Sequence, residues 1–168
     1  PCLSLWARAL AHSLQRERSI QMAQRAIEVA SAIGEFPVLF AKLHRAAAIA
    51  FLASADDVTL AERATASQDL ALVLGALRQS AYVRCEASTG LSYLALASNE
   101  PNTTLAHADE ALRAVGICPI AAEAVALALV LGDASKQEAA RDLLSSVHPS
   151  SSVCGPLRRR LQNERPQR

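Results

Sequence analysis

Residues 103–116 read TTLAHADEALRAVG, and this stretch shows most clearly what kind of fold the chain adopts. Its small and apolar residues recur at intervals of three and four, with charged residues between them. The apolar stripe consists of Leu105, Ala108, Leu112 and Val115, and the residues turned away from it are Asp109, Glu110 and Arg113. This spacing is typical of an amphipathic helix with one buried face, here ended by Gly116.

Triplets of the same kind, with small or apolar residues at i, i+4 and i+7, recur along the chain. They are Ala23/Ile27/Ala30, Ala64/Gln68/Ala71, Ala108/Leu112/Val115 and Ala140/Leu144/Val147. Gly34, Gly75 and Gly116 follow the first three triplets and are spaced by 41 residues. Periods of roughly 34 to 47 residues that contain two helices are typical of helical solenoids. We therefore predict an all-α fold with about four antiparallel helical hairpins.

The composition agrees with this fold class. Hydrophobic residues make up 51% of the chain but aromatic residues only 4%, because alanine and leucine dominate. Both are strong helix formers, whereas strands are enriched in β-branched and aromatic residues. Thr59 with Glu62, and Ser135 with Glu138, have the spacing of capping boxes that begin helices. The predicted helices cover residues 3–14, 20–33, 39–54, 60–75, 77–97, 104–116, 120–131 and 135–147, and we expect Gly34 to provide a left-handed cap.

Length and charge indicate one domain with a distinct tail. The 168 residues suffice for a single core, and we assign residues 1–149 to the helical repeat domain and 150–168 to a basic tail, either a short helix or disordered. The net charge is only +1 although the tail is strongly basic, so the body is slightly acidic. The tail's basic residues are Arg158, Arg159, Arg160, Arg165 and Arg168. Binding of nucleic acid is therefore expected only through the tail.

Cysteine usage and hydropathy bear on location. The four cysteines, Cys2, Cys85, Cys118 and Cys154, form no CxxC pair, and we interpret them as small buried or half-buried thiols in a reducing compartment. We expect the protein in the cytoplasm, with the nucleus as an alternative. The longest apolar run, residues 119–132, contains Glu123 and is too short to span a membrane. Because the chain starts at Pro1 and not at methionine, we expect it to be a piece of a longer protein.

Residues of catalytic type do not form a recognisable motif. The histidines, His12, His44, His107 and His148, are isolated and lack the spacing of metal ligands such as HExxH. The segment from Gly90 to Ser92 lacks the second glycine of a nucleophile elbow. The glycines are dispersed and form no loop suited to phosphate. We therefore predict no catalytic residue, no metal site and no cofactor.

The triplet of Ala23, Ile27 and Ala30 matches the Ala-x3-large-x2-Ala signature of the second helix in tetratricopeptide repeats, although Gln68 departs from it. Over residues 3–148 the chain resembles this repeat family. The resemblance implies a concave groove, lined by the first helix of each hairpin, that binds peptides or helices. The groove residues it implies are Arg8, His12, Ile49, Tyr93, Glu100, Val125 and Leu129.

The chemistry of this groove suggests the kind of partner. It is mostly apolar and lacks the clustered basic donors that recognise a terminal carboxylate. The expected partner is therefore an amphipathic helix or a neighbouring segment of the same parent protein. The same residues would also fit an alternative interpretation, in which they are simply core between the hairpins.

The leading hypothesis for function is a non-catalytic protein–protein interaction scaffold within a larger regulator or multi-subunit assembly. One alternative is a sensor domain of a transcriptional or signalling regulator. Another is an enzyme with an unrecognised pocket. For the architecture, an open superhelix and a closed helical bundle both remain possible.

Overall fold

Six α-helices follow one another in the computed structural model, which describes residues 2–55 and 57–115. They are α1 (Cys2–His12), α2 (Arg16–Ser31), α3 (Glu35–Ser54), α4 (Leu60–Leu77), α5 (Ala81–Ala97) and α6 (Pro101–Val115). These ranges contain no strand, and the predicted all-α class is confirmed. The predictions about the fourth hairpin, Gly116, Cys118, Cys154, His148 and the basic tail lie outside the described residues.

Side-chain caps explain where two of the helices begin. The Thr59 hydroxyl accepts the backbone N–H of Glu62 at 3.2 Å, and the Glu62 carboxylate accepts the backbone N–H of Thr59 at 2.7 Å. The predicted capping box is thus confirmed as the start of α4. Ser80 accepts the backbone N–H of Val83 at 3.3 Å and begins α5. This cap explains why α5 starts at Ala81, whereas the sequence pattern had suggested Leu77.

The glycines do not all have the role that their spacing suggested. Gly34 separates α2 from α3 with a φ of +150°, a conformation that glycine adopts readily, but it is the extended N-cap of α3 and not a left-handed helix cap. Gly75 lies inside α4, which continues to Leu77. The prediction that Gly75 ends a helix is wrong. A helical glycine costs only about 1 kcal/mol relative to alanine, which packing by the rest of the helix offsets.

The turn between α1 and α2 is repeated between α5 and α6. Each turn has three residues, and the middle residue is left-handed, with φ of +55° at Leu14 and +58° at Asn99, 85 residues later. Each turn makes the same two backbone hydrogen bonds. These run from Leu14 to Ala11 (2.8 Å) and from Asn99 to Leu96 (3.0 Å), then from Gln15 to Leu10 (2.9 Å) and from Glu100 to Ala95 (3.0 Å). The two helix pairs therefore share one local geometry.

The buried faces of the second helices follow the same period. Ser19, Ala23 and Ala26 are buried in α2, and their counterparts 85 residues on, Thr104, Ala108 and Ala111, are buried in α6. The two helix pairs are also closed by a side-chain hydrogen bond at equivalent positions. Ser19 donates to the carbonyl of Ala7 at 2.8 Å, and Ser92 donates to the carbonyl of Thr104 at 3.1 Å.

In α4 the predicted buried face is wrong. Ala64, Gln68 and Ala71 are exposed, and the fully buried triplet lies two residues later, at Ala66, Leu70 and Val73. Ala66 follows Ala23 by 43 residues and precedes Ala108 by 42. The sequence pattern was misleading because α4 exposes two leucines and buries one acid. The exposed leucines are Leu60 and Leu72, and the buried acid is Asp69.

Residues 103–115, which contain the predicted amphipathic stripe, form most of α6. Ala108 is fully buried, Leu105 and Leu112 are half-buried, and Arg113 is exposed, so the predicted stripe is confirmed for these residues. Asp109 and Glu110 are half-buried and not fully turned to solvent.

Helix α3 is the centre of the described fold. Each helix packs against the next in sequence, and α3 also packs against α1 and α5. The main core consists largely of α3 residues together with Leu70 and Val73 of α4 and with Val83 and Leu96 of α5. By length and composition α3 is apolar enough to cross a membrane, with a mean hydropathy of 1.4. However, 56% of its apolar window is buried against other helices, as a central core helix requires.

Candidate partner-binding surface

Three of the residues implied to line a groove meet between α1, α3 and α5. Arg8 and His12 of α1 and Tyr93 of α5 surround a cavity of about 20 Å³ together with Phe51 of α3 and Glu86 of α5. A cavity of this size accommodates about one water molecule. It therefore marks a junction of three helices and is too small for an organic ligand.

An ion pair joins α1 to α5 at this junction. The Arg8 Nη1 atom lies 2.8 Å from Glu86 Oε2, and each side chain is 18% exposed. Tyr82 of α5 lies beside the pair, and its pKa is raised by burial and by the negative charge of Glu86, while Arg8 opposes the shift. Because solvent screens this pair less than a fully exposed one, it stabilises the α1–α5 contact more than a typical surface pair does.

Three rings connect the same helices below the ion pair. The His12 and Phe51 ring centroids are 4.3 Å apart, and those of Phe51 and Tyr93 are 5.9 Å apart, both in edge-to-face arrangements. Such pairs contribute about 0.5–1.5 kcal/mol each beyond the area they bury. Phe51 is 3% exposed and Tyr93 2%, so these two rings belong to the core.

Both histidines of this region are neutral at physiological pH. Burial and then the positive charge of Arg8 lower the pKa of His12 to about 4, and the same two causes lower that of His44 to about 4. The Nδ1 atoms of both rings are buried without a hydrogen-bond partner. A neutral imidazole offers one donor and one acceptor but no charge, so Arg8 is the cation of this junction.

The remaining residues implied by the resemblance are placed differently. Ile49 is 4% exposed and belongs to the main core. Glu100 is exposed in the α5–α6 turn, where its carbonyl accepts the backbone N–H of Thr104 at 2.9 Å, and it does not line the cavity. Val125 and Leu129 lie outside the described residues. The structure thus brings together Arg8, His12 and Tyr93 but not Ile49 or Glu100.

Sequence reasoning missed Glu86 and Phe51. Glu86 precedes Tyr93 by seven residues, or two helical turns, so helical spacing was a signal that both share one face of α5. Phe51 had no such signal, because nearly every residue of the second half of α3 is buried whichever way it points.

A buried carboxylate outside this junction has a structural role. Asp69 of α4 is 5% exposed and accepts a hydrogen bond from Arg45 Nε of α3 at 2.9 Å, with Lys42 Nζ at 3.7 Å. Arg45 also donates to Gln24 Oε1 of α2 at 3.2 Å. The cluster joins α2, α3 and α4, and breaking such a buried pair costs several kcal/mol.

Within residues 2–55 and 57–115, no group of three histidine, cysteine or acidic side chains is placed to hold a metal ion. His107, Asp109 and Glu110, which are close in sequence, form no such group. Cys85 is buried, as expected, but Cys2 is exposed, which corrects that part of the prediction. No protein family model, curated protein or solved structure matches the chain.

Proposed function

We propose that this chain is a tetratricopeptide-like helical repeat domain that serves as a non-catalytic protein-interaction scaffold in the cytoplasm. Its partner would be an amphipathic helix bound on the layer formed by α1, α3 and α5. The observation that carries the proposal is the packing pattern, in which α3 contacts both α1 and α5 while α2 and α4 each contact the two flanking members of that layer. This is the pattern that stacked helix pairs require.

The period of the buried faces supports a solenoid arrangement. Ala23, Ala66 and Ala108 occupy equivalent buried positions at intervals of 43 and 42 residues, within the range of two-helix repeats. Small residues at these positions let helix axes approach closely. An open superhelix would have a radius of gyration clearly above the roughly 15 Å of a compact domain of this length, and small-angle scattering of the monomer measures that difference.

The surface of the α1–α3–α5 layer suits an amphipathic helix. Tyr82 is 43% exposed, its ring stacks on that of half-buried Phe40 with centroids 6.4 Å apart, and the Arg8–Glu86 pair lies next to it. An exposed aromatic ring beside a partly desolvated ion pair is the composition of many binding hot spots.

The test is selection of helical peptides from a displayed library, followed by titration with a fluorescently labelled binder. Tyr82→Ala should weaken binding at least tenfold, about 1.4 kcal/mol. The matched control is Leu72→Ala on α4, whose side chain is 48% exposed away from this layer. Ile49 and Tyr93 are unsuitable because substitution of core residues would unfold the domain. If no peptide is selected, or if both variants weaken binding equally, the proposal is wrong.

A further inference from the structure

Two side chains that line the small cavity between α1, α3 and α5 each contain a buried polar atom without a partner. These atoms are Nδ1 of His12 in α1 and Oγ1 of Thr89 in α5. Neither atom has a hydrogen-bond partner among the described residues. Thr89 is only 6% exposed, so bulk water does not solvate its hydroxyl. Because buried polar groups in native proteins are nearly always hydrogen-bonded, both atoms require a partner.

The hydroxyl of Thr89 differs from those of Thr65 and Thr104, which also lie in helices. A threonine hydroxyl in a helix commonly donates to the carbonyl four residues earlier. Thr65 donates to the carbonyl of Ala61 at 3.0 Å, and Thr104 donates to that of Glu100 at 2.8 Å. Thr89 makes no such bond with its own helix. Its hydroxyl is therefore available to a group inside the cavity.

The cavity has room for one water molecule. Its volume is about 20 Å³, and a cavity needs roughly 10–15 Å³ to hold a water molecule. Small side chains create this space, since Ala11 of α1 and Ala47 and Ala48 of α3 line it together with the polar groups. A purely apolar cavity would remain dry, but this cavity is also lined by a hydroxyl, an imidazole and an ion pair.

The charges around the cavity favour an uncharged occupant. Arg8 and Glu86 both line it, and they compensate each other because their side chains are paired at 2.8 Å. The pKa of His12 is about 4, lowered by burial and then by Arg8, so its imidazole is neutral at physiological pH. A hydroxyl can both donate and accept, and a neutral imidazole has one donor and one acceptor. Water matches both groups, since it also donates and accepts.

We propose that one ordered water molecule binds in this cavity, hydrogen-bonded to His12 Nδ1 and Thr89 Oγ1. It links α1 to α5 across α3, beside the ion pair of Arg8 and Glu86. Because both of its partners are neutral, this link should persist at high salt, which weakens ion pairs near the surface. The water site goes beyond the proposed function, because no partner protein takes part in it.

A crystal structure that resolves ordered water tests the site directly. It should show one water molecule within about 3.2 Å of both His12 Nδ1 and Thr89 Oγ1. In solution, oxygen-17 magnetic relaxation dispersion counts long-lived internal water molecules. Thr89→Val should contain one fewer than the unchanged chain, because valine has the shape of threonine without the hydroxyl. The matched control is Thr65→Val, since Thr65 is exposed on α4, and it should contain the same number as the unchanged chain.

The effect of Thr89→Val on stability distinguishes a cavity that contains water from a dry one. If water links the two atoms, the substitution leaves His12 Nδ1 without a partner, and the unfolding equilibrium constant should increase at least about fivefold. In a dry cavity the same substitution would remove an unpaired hydroxyl, and the constant would decrease. Urea denaturation measures the change, and Thr65→Val should alter the constant by less than about twofold.

A double-mutant cycle tests whether one water molecule serves both atoms. His12→Phe keeps an aromatic ring next to Phe51 but removes the Nδ1 atom. Each single substitution should release the same water molecule, so the combined loss of stability with Thr89→Val should be smaller than the sum of the two single losses.

Four results would overturn the proposal. A crystal structure could show no water molecule in contact with both atoms, or Thr89→Val could contain as many long-lived water molecules as the unchanged chain. Thr89→Val could lower the unfolding equilibrium constant, as expected of a dry cavity. Finally, the losses of stability from Thr89→Val and His12→Phe could be strictly additive, which would mean that the two atoms share no water molecule.

Discussion

The α1–α2 and α5–α6 pairs have the same turn and the same buried positions, yet their surroundings differ. Besides α6, helix α5 packs against α3 and α4, whereas α1 packs mainly against α2 and α3 and meets α5 at the Arg8–Glu86 ion pair. Leu5 of α1 is therefore 57% exposed, and its counterpart Gly90 of α5 is buried. The local sequence determines the helix pair, and the neighbouring helix determines which of its faces becomes core.

The largest expected difference is in stability at low pH, which should decrease more in α1–α3 than in α5–α6. The pKa values of His12 and His44 are near 4 in the folded chain, below the ordinary 6.5, so the unfolded chain binds protons first as the pH falls. Stability should decrease from pH 6.5 to 4 by on the order of 2–3 kcal/mol per histidine. Hydrogen exchange should show α1–α3 losing protection before α5–α6.

The control for this prediction is the double variant His12→Gln and His44→Gln, which cannot titrate in that range. Its denaturation midpoint should depend less on pH between 6.5 and 4 than that of the unchanged chain. An identical pH dependence in both proteins would contradict the assignment to these two side chains.

Replacing a small buried residue with leucine at the equivalent position of each helix pair should destabilise the α5–α6 pair more than the α1–α2 pair. Ala111→Leu should destabilise the fold by about 1–3 kcal/mol, because Ala111 is fully buried between α5 and α6. Ala26→Leu should cost less, since Ala26 lines an apolar groove of about 590 Å³ between α1, α2 and α3. Urea denaturation measures both changes in the free energy of unfolding, and equal decreases would mean that the surroundings of Ala111 and Ala26 are packed alike.

Two glycines allow a sharper test of the contact between α5 and α4. A Cβ on Gly90 would lie 3.0 Å from Leu70 Cδ1, so Leu70 must shift, and Gly90→Ala should lose part or all of the gain from better helix propensity. A Cβ on Gly75 would meet nothing within 4 Å, so Gly75→Ala should stabilise α4 by up to about 1 kcal/mol. Gly75→Ala should raise the thermal denaturation midpoint more than Gly90→Ala, and equal increases would refute the close contact.

The smallest effect on stability is expected in the three-residue turns of the α1–α2 and α5–α6 pairs. Leu14 and Asn99 share a left-handed backbone, which asparagine tolerates better than leucine. Leu14→Asn should stabilise by about 1 kcal/mol, and Asn99→Leu should destabilise by a similar amount. If neither substitution moves the unfolding midpoint, the two turns are not under the same backbone constraint.

Much of the helical architecture could be predicted from the sequence, and the reasons for the failures are physical. The stripe around Ala108 and the Thr59 cap were predictable because propensity, spacing and capping agree there. The face of α4 was not, because alanine lies on both sides of that helix and the buried carboxylate of Asp69 is stabilised by Arg45 from another helix. The regular glycine spacing was misleading because Gly75 neither ends a helix nor contacts another one.

The site was less predictable than the fold. Arg8, His12 and Tyr93 do meet, because residues on one face of α1 and α5 both approach α3. The contact with Glu86, and the apolar groove that Ile33 lines between α1, α2 and α3, depend on how the helices stack. The pattern of a single helix contains no information about that stacking. Periodicity shows which face of a helix is buried but not what lies opposite it.

The central position of α3 has a consequence for how quickly the chain folds. All the substantial helix contacts in the described chain join helices that are adjacent or next but one in sequence. Such low contact order is typical of domains that fold in microseconds to milliseconds. Because α3 contacts four of the other five helices, we expect its core leucines to belong to the folding nucleus, so that Leu43→Ala slows folding. Truncations in α6, which packs mainly against α5, should instead mainly accelerate unfolding.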